Sequence, residues 1–261
     1  MTDAVQETFV SHLIELRDRL IKALIAFAVV FGILMIWPGA GAIYDFLAAP
    51  LTRALPEGTK MIATGVITPF MVPLKVGAMV AFVIALPVIL FQAWAFVAPG
   101  LYQHEKKFAL PLVVASTILF VIGMAFCYYF VFGKVFSFIN DFAPKSITPA
   151  PDIEAYLNFV LTMFIAFGVT FEVPIVVIVL VAFNIVSIEK LKAWRSYVIV
   201  GAFVIAAVVT PPDVLSQLLL AIPMCILFEV GLFCARFVAK PQTRAEADAA
   251  DAAATADKSS V

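Results

Sequence analysis

The sequence predicts an all-α polytopic membrane protein with six transmembrane helices, and three observations predict it. Of 261 residues, 64% are hydrophobic and only 13% charged, whereas a soluble domain runs nearer half apolar and a quarter charged. The apolar residues fall in blocks long enough to cross a bilayer, which takes roughly 20 helical residues. The blocks are uniformly apolar, without the short alternating segments of a membrane barrel. In lipid the backbone must satisfy its own hydrogen bonds, so these blocks are helices.

The expected spans run over residues 20–37, 74–98, 109–132, 155–184, 196–209 and 215–235. The N-terminal stretch MTDAVQETFVSHLIELRDRL is polar and meets a full-length apolar block, so no cleaved leader is expected. Within it SHLIELRDRL reads as an amphipathic run, with Glu15 and Arg19 four apart; a surface ion pair there is worth ~0.3–0.5 kcal/mol. The loop at 38–73 holds IYDFLAAPL, a short amphipathic helix at the interface. After the second span comes APGLYQHEKKF, where Glu105 complements the dipole at the start of span three. The loop at 133–154 ends at Asp152, the expected N-cap of span four. Span four contains FGVTFEVPI, with Glu172 and Pro174 inside an apolar stretch. Span five has about 14 clearly apolar residues, or ~21 Å against ~30 Å of hydrocarbon. The connection TPPD assigns Thr210 to the cap of span six, Pro211 to its first position and Asp213 to its first turn. Pro223 interrupts that span and Glu229 lies late in it, snorkelling or paired with Arg236. The alanine- and aspartate-rich tail from Pro241 has no aromatic residue and reads as disordered. The division is a membrane domain over 1–237 and a tail over 238–261.

Basic residues orient the chain. The N-terminus, the second and fourth loops and the C-terminus hold 12 of the 17 Lys and Arg residues, the other loops 5. Both termini are therefore expected in the cytoplasm. Cys127, Cys225 and Cys234 lie in or beside apolar blocks without a CxxC, and neither disulfides nor a zinc site is expected. No enzyme constellation is visible. The only histidines are His12 and His104, and there is no Walker or HExxH motif. No cofactor and no metal are expected.

A charge at mid-bilayer costs at least ~2.5 kcal/mol, so an intramembrane carboxylate usually faces a protein interior or a wet cavity. Glu172 is thus a functional candidate; the alternative is a protonated side chain or one paired with a neighbour such as Gln217. Glu15 and Glu105 fall on one membrane face at segment ends one or two helices apart. Two interfacial carboxylates suit two guanidinium groups, each held by bidentate, charge-assisted hydrogen bonds.

SHLIELRDRL, APL and ITPF of the first outer loop, FVAPGLYQHEKK, FGVTFEVPI, IVGAF and TPPDVLSQLLLAIPMCILFE together resemble TatC, the polytopic receptor subunit of the twin-arginine protein translocase. The likeness runs from about Val10 to Phe237. It implies six helices in a concave, cup-like arrangement that binds twin-arginine signal peptides of folded precursors. It also implies assembly with the single-span subunits TatA and TatB and export across the inner membrane on the proton-motive force, without ATP. By the resemblance, Glu15 and Glu105 receive the paired arginines; His12, Arg17, Phe96, Pro99, Leu101 and Tyr102 shape the recognition surface. Glu172 faces the concave side, and Pro50, Asp213 and Gln217 match positions of the outer caps and partner contact. Lys106 and Lys107 stand where arginine is also common in the family. Two rivals remain at this level: a proton-coupled solute transporter using Glu172 and Glu229, and a structural scaffold for other membrane subunits.

Overall fold

The computed structural model describes residues 2–45, 62–97, 106–142, 152–210 and 213–238. These residues form helices almost throughout. Helix α1 is Thr2–Ile36, α2 Thr68–Val97 and α3 Lys106–Phe126; a π-helical turn, Cys127–Val131, carries α3 into α4, Phe132–Phe142. Helix α5 is Ile153–Phe171, α6 Val173–Ala182, α7 Ile188–Ala193, α8 Arg195–Val209 and α9 Val214–Val238. Five stretches are long and apolar enough to cross a membrane: Ser11–Ile36, Thr68–Phe96, Leu110–Phe138, Ile153–Ala182 and Val214–Val238. The sixth expected span is the shorter apolar helix Arg195–Val209.

The helices stand largely in a row. α1 packs on α2, α2 on α3, α3 on α5, α6 on α9 and α9 on α8. With little water to exclude, helices in lipid associate through close backbone approach and packing. Gly123 and Gly168 provide that approach between α3 and α5. A β-carbon at Gly123 would come 2.5 Å from the Phe167 carbonyl oxygen, and one at Gly168 would run into the Phe120 ring. Gly231 does the same for α9 against α6, where a β-carbon would lie 2.9 Å from the Pro174 backbone.

Burial concentrates where the elements meet. The main cluster joins Met79, Cys127, Phe132, Met163, Phe167 and Leu220 from α2, the π-helical turn, α4, α5 and α9. A second joins Val177, Val181, Leu191 and Phe228 of α6, α7 and α9. A third joins Ile43, Val72, Val76 and Leu157.

Two expectations need correction. The expected loop after residue 132 begins as helix, since α4 carries the third span on to Phe142. Its strongly amphipathic sequence places Phe132 and Val135 in the core while Gly133 and Lys134 stay exposed. Pro223 does not interrupt the last span: α9 runs unbroken from Val214 to Val238. A membrane helix tolerates an internal proline when neighbours and small backbone shifts satisfy the freed carbonyl. The interfacial helix expected over IYDFLAAPL is helical at residues 40–45; its remainder, with Pro50, lies outside the described residues.

Candidate functional site

At the end of the row rich in basic residues, α1 meets the last turn of α2. The His12 ring stacks on Phe96, with centroids 4.5 Å apart and planes 24° apart. These residues are 84 positions apart in the chain, so only tertiary packing brings them together. One helical turn along α1, Glu15 accepts from Arg19 Nε at 2.9 Å and from the same guanidinium's Nη2, both bonds landing on Oε1. The expected local ion pair therefore forms, and Arg19 leaves the second oxygen unengaged. Arg17 pairs with Asp18 at 2.8 Å on the exposed surface. Glu105, Pro99, Leu101 and Tyr102 lie outside the described residues, in the connection between α2 and α3.

Deeper in the row, Glu172 stands at the break between α5 and α6, with φ −75° and ψ −16°. The break follows from Pro174, which has no N–H to offer the carbonyl four residues back. Both Glu172 carboxyl oxygens are enclosed, and neither meets a hydrogen-bond donor among the described residues. The Ser116 hydroxyl of α3 bears on the carboxyl without completing a hydrogen bond. Ser116 is fully buried and instead accepts the Trp94 indole N–H of α2 at 3.3 Å. Ser116 of α3 thus stands beside an acid that no hydrogen bond among the described residues satisfies. An unmatched buried acceptor costs ~1–3 kcal/mol.

Gln217 does not pair with Glu172. Its amide nitrogen donates to the Phe203 carbonyl at 3.3 Å, across the α8–α9 pair. Thr210 does not cap the last span either: its hydroxyl donates back to the Ala206 carbonyl at 2.8 Å and finishes α8. Asp213 takes the capping role, its Oδ1 accepting the Ser216 N–H at 2.6 Å. A carboxylate placed directly before the helix receives the free N–H three residues on, which a threonine four residues before Val214 cannot reach. Glu229 pairs with Arg195 at 2.6 Å and not with Arg236. Antiparallel packing of α8 on α9 sets the first residue of α8 opposite Glu229, a register that one helix's own sequence does not show.

The opposite end of the row carries a polar clamp that sequence reasoning missed apart from one residue. Asp152 caps α5 as expected, its Oδ1 accepting from the Glu154 and Ala155 N–H groups at 2.9 Å each. Its Oδ2 accepts the Thr64 hydroxyl at 2.6 Å and the Thr64 N–H at 3.1 Å. The Thr64 hydroxyl bond, followed by the bond from the Ala155 N–H, holds this carboxyl at about 2, below the usual 3.8. Beside it Glu154 accepts from Thr68 at 3.0 Å and from Lys75 at 2.8 Å, and Lys75 also reaches Asn158 at 3.3 Å. The polar spacing of Thr64, Thr68 and Lys75 was a visible signal; their partners about 80 residues away were not.

With this geometry in place, the comparisons with known proteins decide the family. The family model of the Sec-independent protein translocase protein (TatC) matches residues 11–223. The chain belongs to the TatC family. A TatC from Haemophilus influenzae is 52% identical over 231 residues, covering 88% of this chain and 90% of that protein. One from Escherichia coli K12 is 48% identical over 246 residues, covering 93% and 95%. A crystal structure of the twin-arginine translocase receptor TatC matches with a TM-score of 0.76 at 39% identity, over 87% of this chain and 99% of that one. A second TatC crystal structure, in the detergent DDM, gives 0.77 at 38% identity. TatC membership makes the chain a multi-pass membrane subunit of the protein-transport machinery, with a role in translocation and not in catalysis.

Proposed function

We propose that this TatC protein is the receptor of a twin-arginine translocase, set in the inner membrane with both termini in the cytoplasm. Its partners are twin-arginine signal peptides of folded precursors and the single-span subunits TatA and TatB; export draws on the proton-motive force. The observation that carries this reading is the His12–Phe96 stack beside Glu15. It joins two separate recognition segments at the end of the row where basic residues concentrate, 12 against 5. In this reading Glu15 exchanges its Arg19 partner for an arginine of the leader, while Glu105 takes the other. The Glu15–Arg19 pair is partly buried, and an i,i+4 helix pair contributes only ~0.3–0.5 kcal/mol, so the exchange costs little. Arg17, Pro99, Leu101 and Tyr102 complete the surface around the two carboxylates.

Glu172 then serves as the polar foothold for a partner's transmembrane helix, whose donor would satisfy the enclosed carboxyl. Gln217 ties α9 to α8 through the Phe203 carbonyl and Asp213 caps α9; in this reading both belong, with Pro50 of the outer loop, to the outer caps and partner contact.

Recognition is tested by Glu15→Lys and Glu105→Lys, made singly, with photocrosslinking to a twin-arginine peptide as the readout. Each is expected to lose most of the adduct; full crosslinking in both removes the proposed site. For the foothold, Glu172→Ala and Glu172→Gln are followed by association with TatB and TatA in detergent. Alanine, which offers no acceptor, is expected to lose association. Normal assembly and export with both variants would end the assignment.

A further inference from the structure

Two polar side chains meet between α2 and α3, away from the His12–Phe96 stack. The Trp94 indole N–H of α2 donates to the Ser116 hydroxyl oxygen of α3 at 3.3 Å. Ser116 is fully buried and Trp94 half-buried. Both lie inside apolar spans, Thr68–Phe96 and Leu110–Phe138. A hydroxyl carries one proton and two acceptor lone pairs. Trp94 takes a lone pair and leaves the proton. A serine within a helix often spends that proton on the carbonyl four residues back. The neighbouring Thr117 does so, donating to the Val113 carbonyl at 2.8 Å. Ser116 makes no such bond among the described residues.

Helix register shows which acceptor the spare proton faces. Helices α3 and α5 run antiparallel, and Gly168 of α5 lies against the Phe120 ring of α3. One turn from each, toward the basic end of the row, come Ser116 and Glu172. There the hydroxyl bears on the Glu172 carboxyl. Both oxygens of that carboxyl are enclosed, without a hydrogen bond among the described residues. A buried hydroxyl with an uncommitted proton thus stands beside a buried acid that lacks a donor.

We propose that Trp94 is a positioning residue for Glu172, acting through Ser116. The indole holds the hydroxyl oxygen, and the hydroxyl aims its proton at one Glu172 oxygen, leaving the other for a visiting donor. The bond closes by side-chain rotation alone, since the two helices already hold the register. A carboxyl held at one oxygen presents the other in a single direction. The proposal rests on the foothold reading of Glu172 and adds to it one residue from α2 and one from α3. Bonds in such a chain polarise one another, so a change at Glu172 reaches the indole through the hydroxyl.

The test uses the full chain in detergent micelles, isotope-labelled at the indole nitrogens and read by NMR. The chain has three tryptophans, Trp37, Trp94 and Trp194. Trp94→Phe identifies the Trp94 signal, and the other two report that each variant keeps its fold. Glu172→Ala, which removes the acceptor, is expected to move the Trp94 N–H resonance upfield. Glu172→Gln, which keeps an acceptor, is expected to move it less. In a Ser116→Ala chain the further change Glu172→Ala is expected to move it no more. A Trp94 resonance that ignores Glu172→Ala overturns the proposal. An equal response with and without the Ser116 hydroxyl marks a packing effect and overturns it too. The second arm reads association with TatB in detergent. Trp94→Phe and Ser116→Ala are each expected to weaken it severalfold, and neither to weaken it further once Glu172 is replaced by alanine. Losses that simply add to that of Glu172→Ala assign the pair to fold stability and overturn the proposal. Should Glu172→Ala leave association intact while the Trp94 resonance still answers to it, the foothold reading falls and the hydrogen-bonded chain stands.

Discussion

Asp152 shows how one side chain holds two distant parts of the chain. One oxygen caps α5 and the other fixes Thr64, 88 residues earlier. Asp152→Ala is expected to destabilise the fold through the lost cap alone, measured as a lower unfolding midpoint in detergent. The carboxyl is held below its ordinary value, at about 2 against 3.8. A depressed acid stabilises the fold above its unfolded value, and that contribution fades as the pH drops from about 3.8 toward about 2. Above pH 5 the clamp should be insensitive to pH; an acid titration of stability in wild type and Asp152→Ala should converge only in that acidic window. At the other end, Phe96→Ala removes the ring under His12, and aromatic pairs contribute ~0.5–1.5 kcal/mol beyond their area. Leader-peptide binding is expected to fall with Phe96→Ala and to recover with Phe96→Tyr, measured by crosslinking at equal expression. The cap and the Glu15–Arg19 pair were legible because both are set by spacings of three or four along one helix. Thr64, Lys75 and Arg195 found partners across the fold, and local spacing carries no trace of those.

Among the elements, the contact of α3 with α5 rests on two glycines facing two phenylalanines. Gly168→Ala drives its methyl into the Phe120 ring, and Gly123→Ala meets the fixed Phe167 carbonyl. Overpacking of this kind costs typically ~1–3 kcal/mol. Both variants should show lower thermal stability in detergent, Gly123→Ala the more stubbornly because a backbone atom cannot rotate aside. Reducing Phe120 to leucine should restore part of the Gly168→Ala loss and none of the Gly123→Ala loss. The existence and order of the spans were legible from apolar block length. Their ends were less so: α4 continues the third span beyond the apolar block because its own amphipathic face finds a place on Phe159 and Tyr156. Pro174 did break its helix and Pro223 did not, although both are prolines in apolar surroundings. At Pro174 the irregular turn falls on Glu172, whose side chain makes no capping hydrogen bond.

At the scale of the whole molecule, the row is uneven in height. Helix α8 has 15 residues, ~22 Å of rise against ~30 Å of hydrocarbon. Its first residue is tied to Glu229, and α9 continues past that level to Val238. The bilayer beside α8 is therefore expected to be thinner than beside α2, which has 30 residues. Mismatch costs fractions of a kcal/mol per Å, so reconstitution into lipids of increasing acyl length should lower stability steadily. Arg195→Ala, which unties the end of α8, should lessen that dependence; a stability that ignores lipid length would remove the expectation. The shortness of span five was plain from its apolar count, whereas the ledge formed by α9 above it came only from packing register.

The break at Glu172 has a mechanical consequence. Helix α5 rests mainly on α3, while α6 rests mainly on α9, so one transmembrane segment changes neighbours at the point where Pro174 removes a rung of its hydrogen-bond ladder. The first half leans mainly on α3 and the second mainly on α9, although α9 also reaches α5. Position 172 is thus the seam where the α3 side of the row and the α9 side meet within one segment.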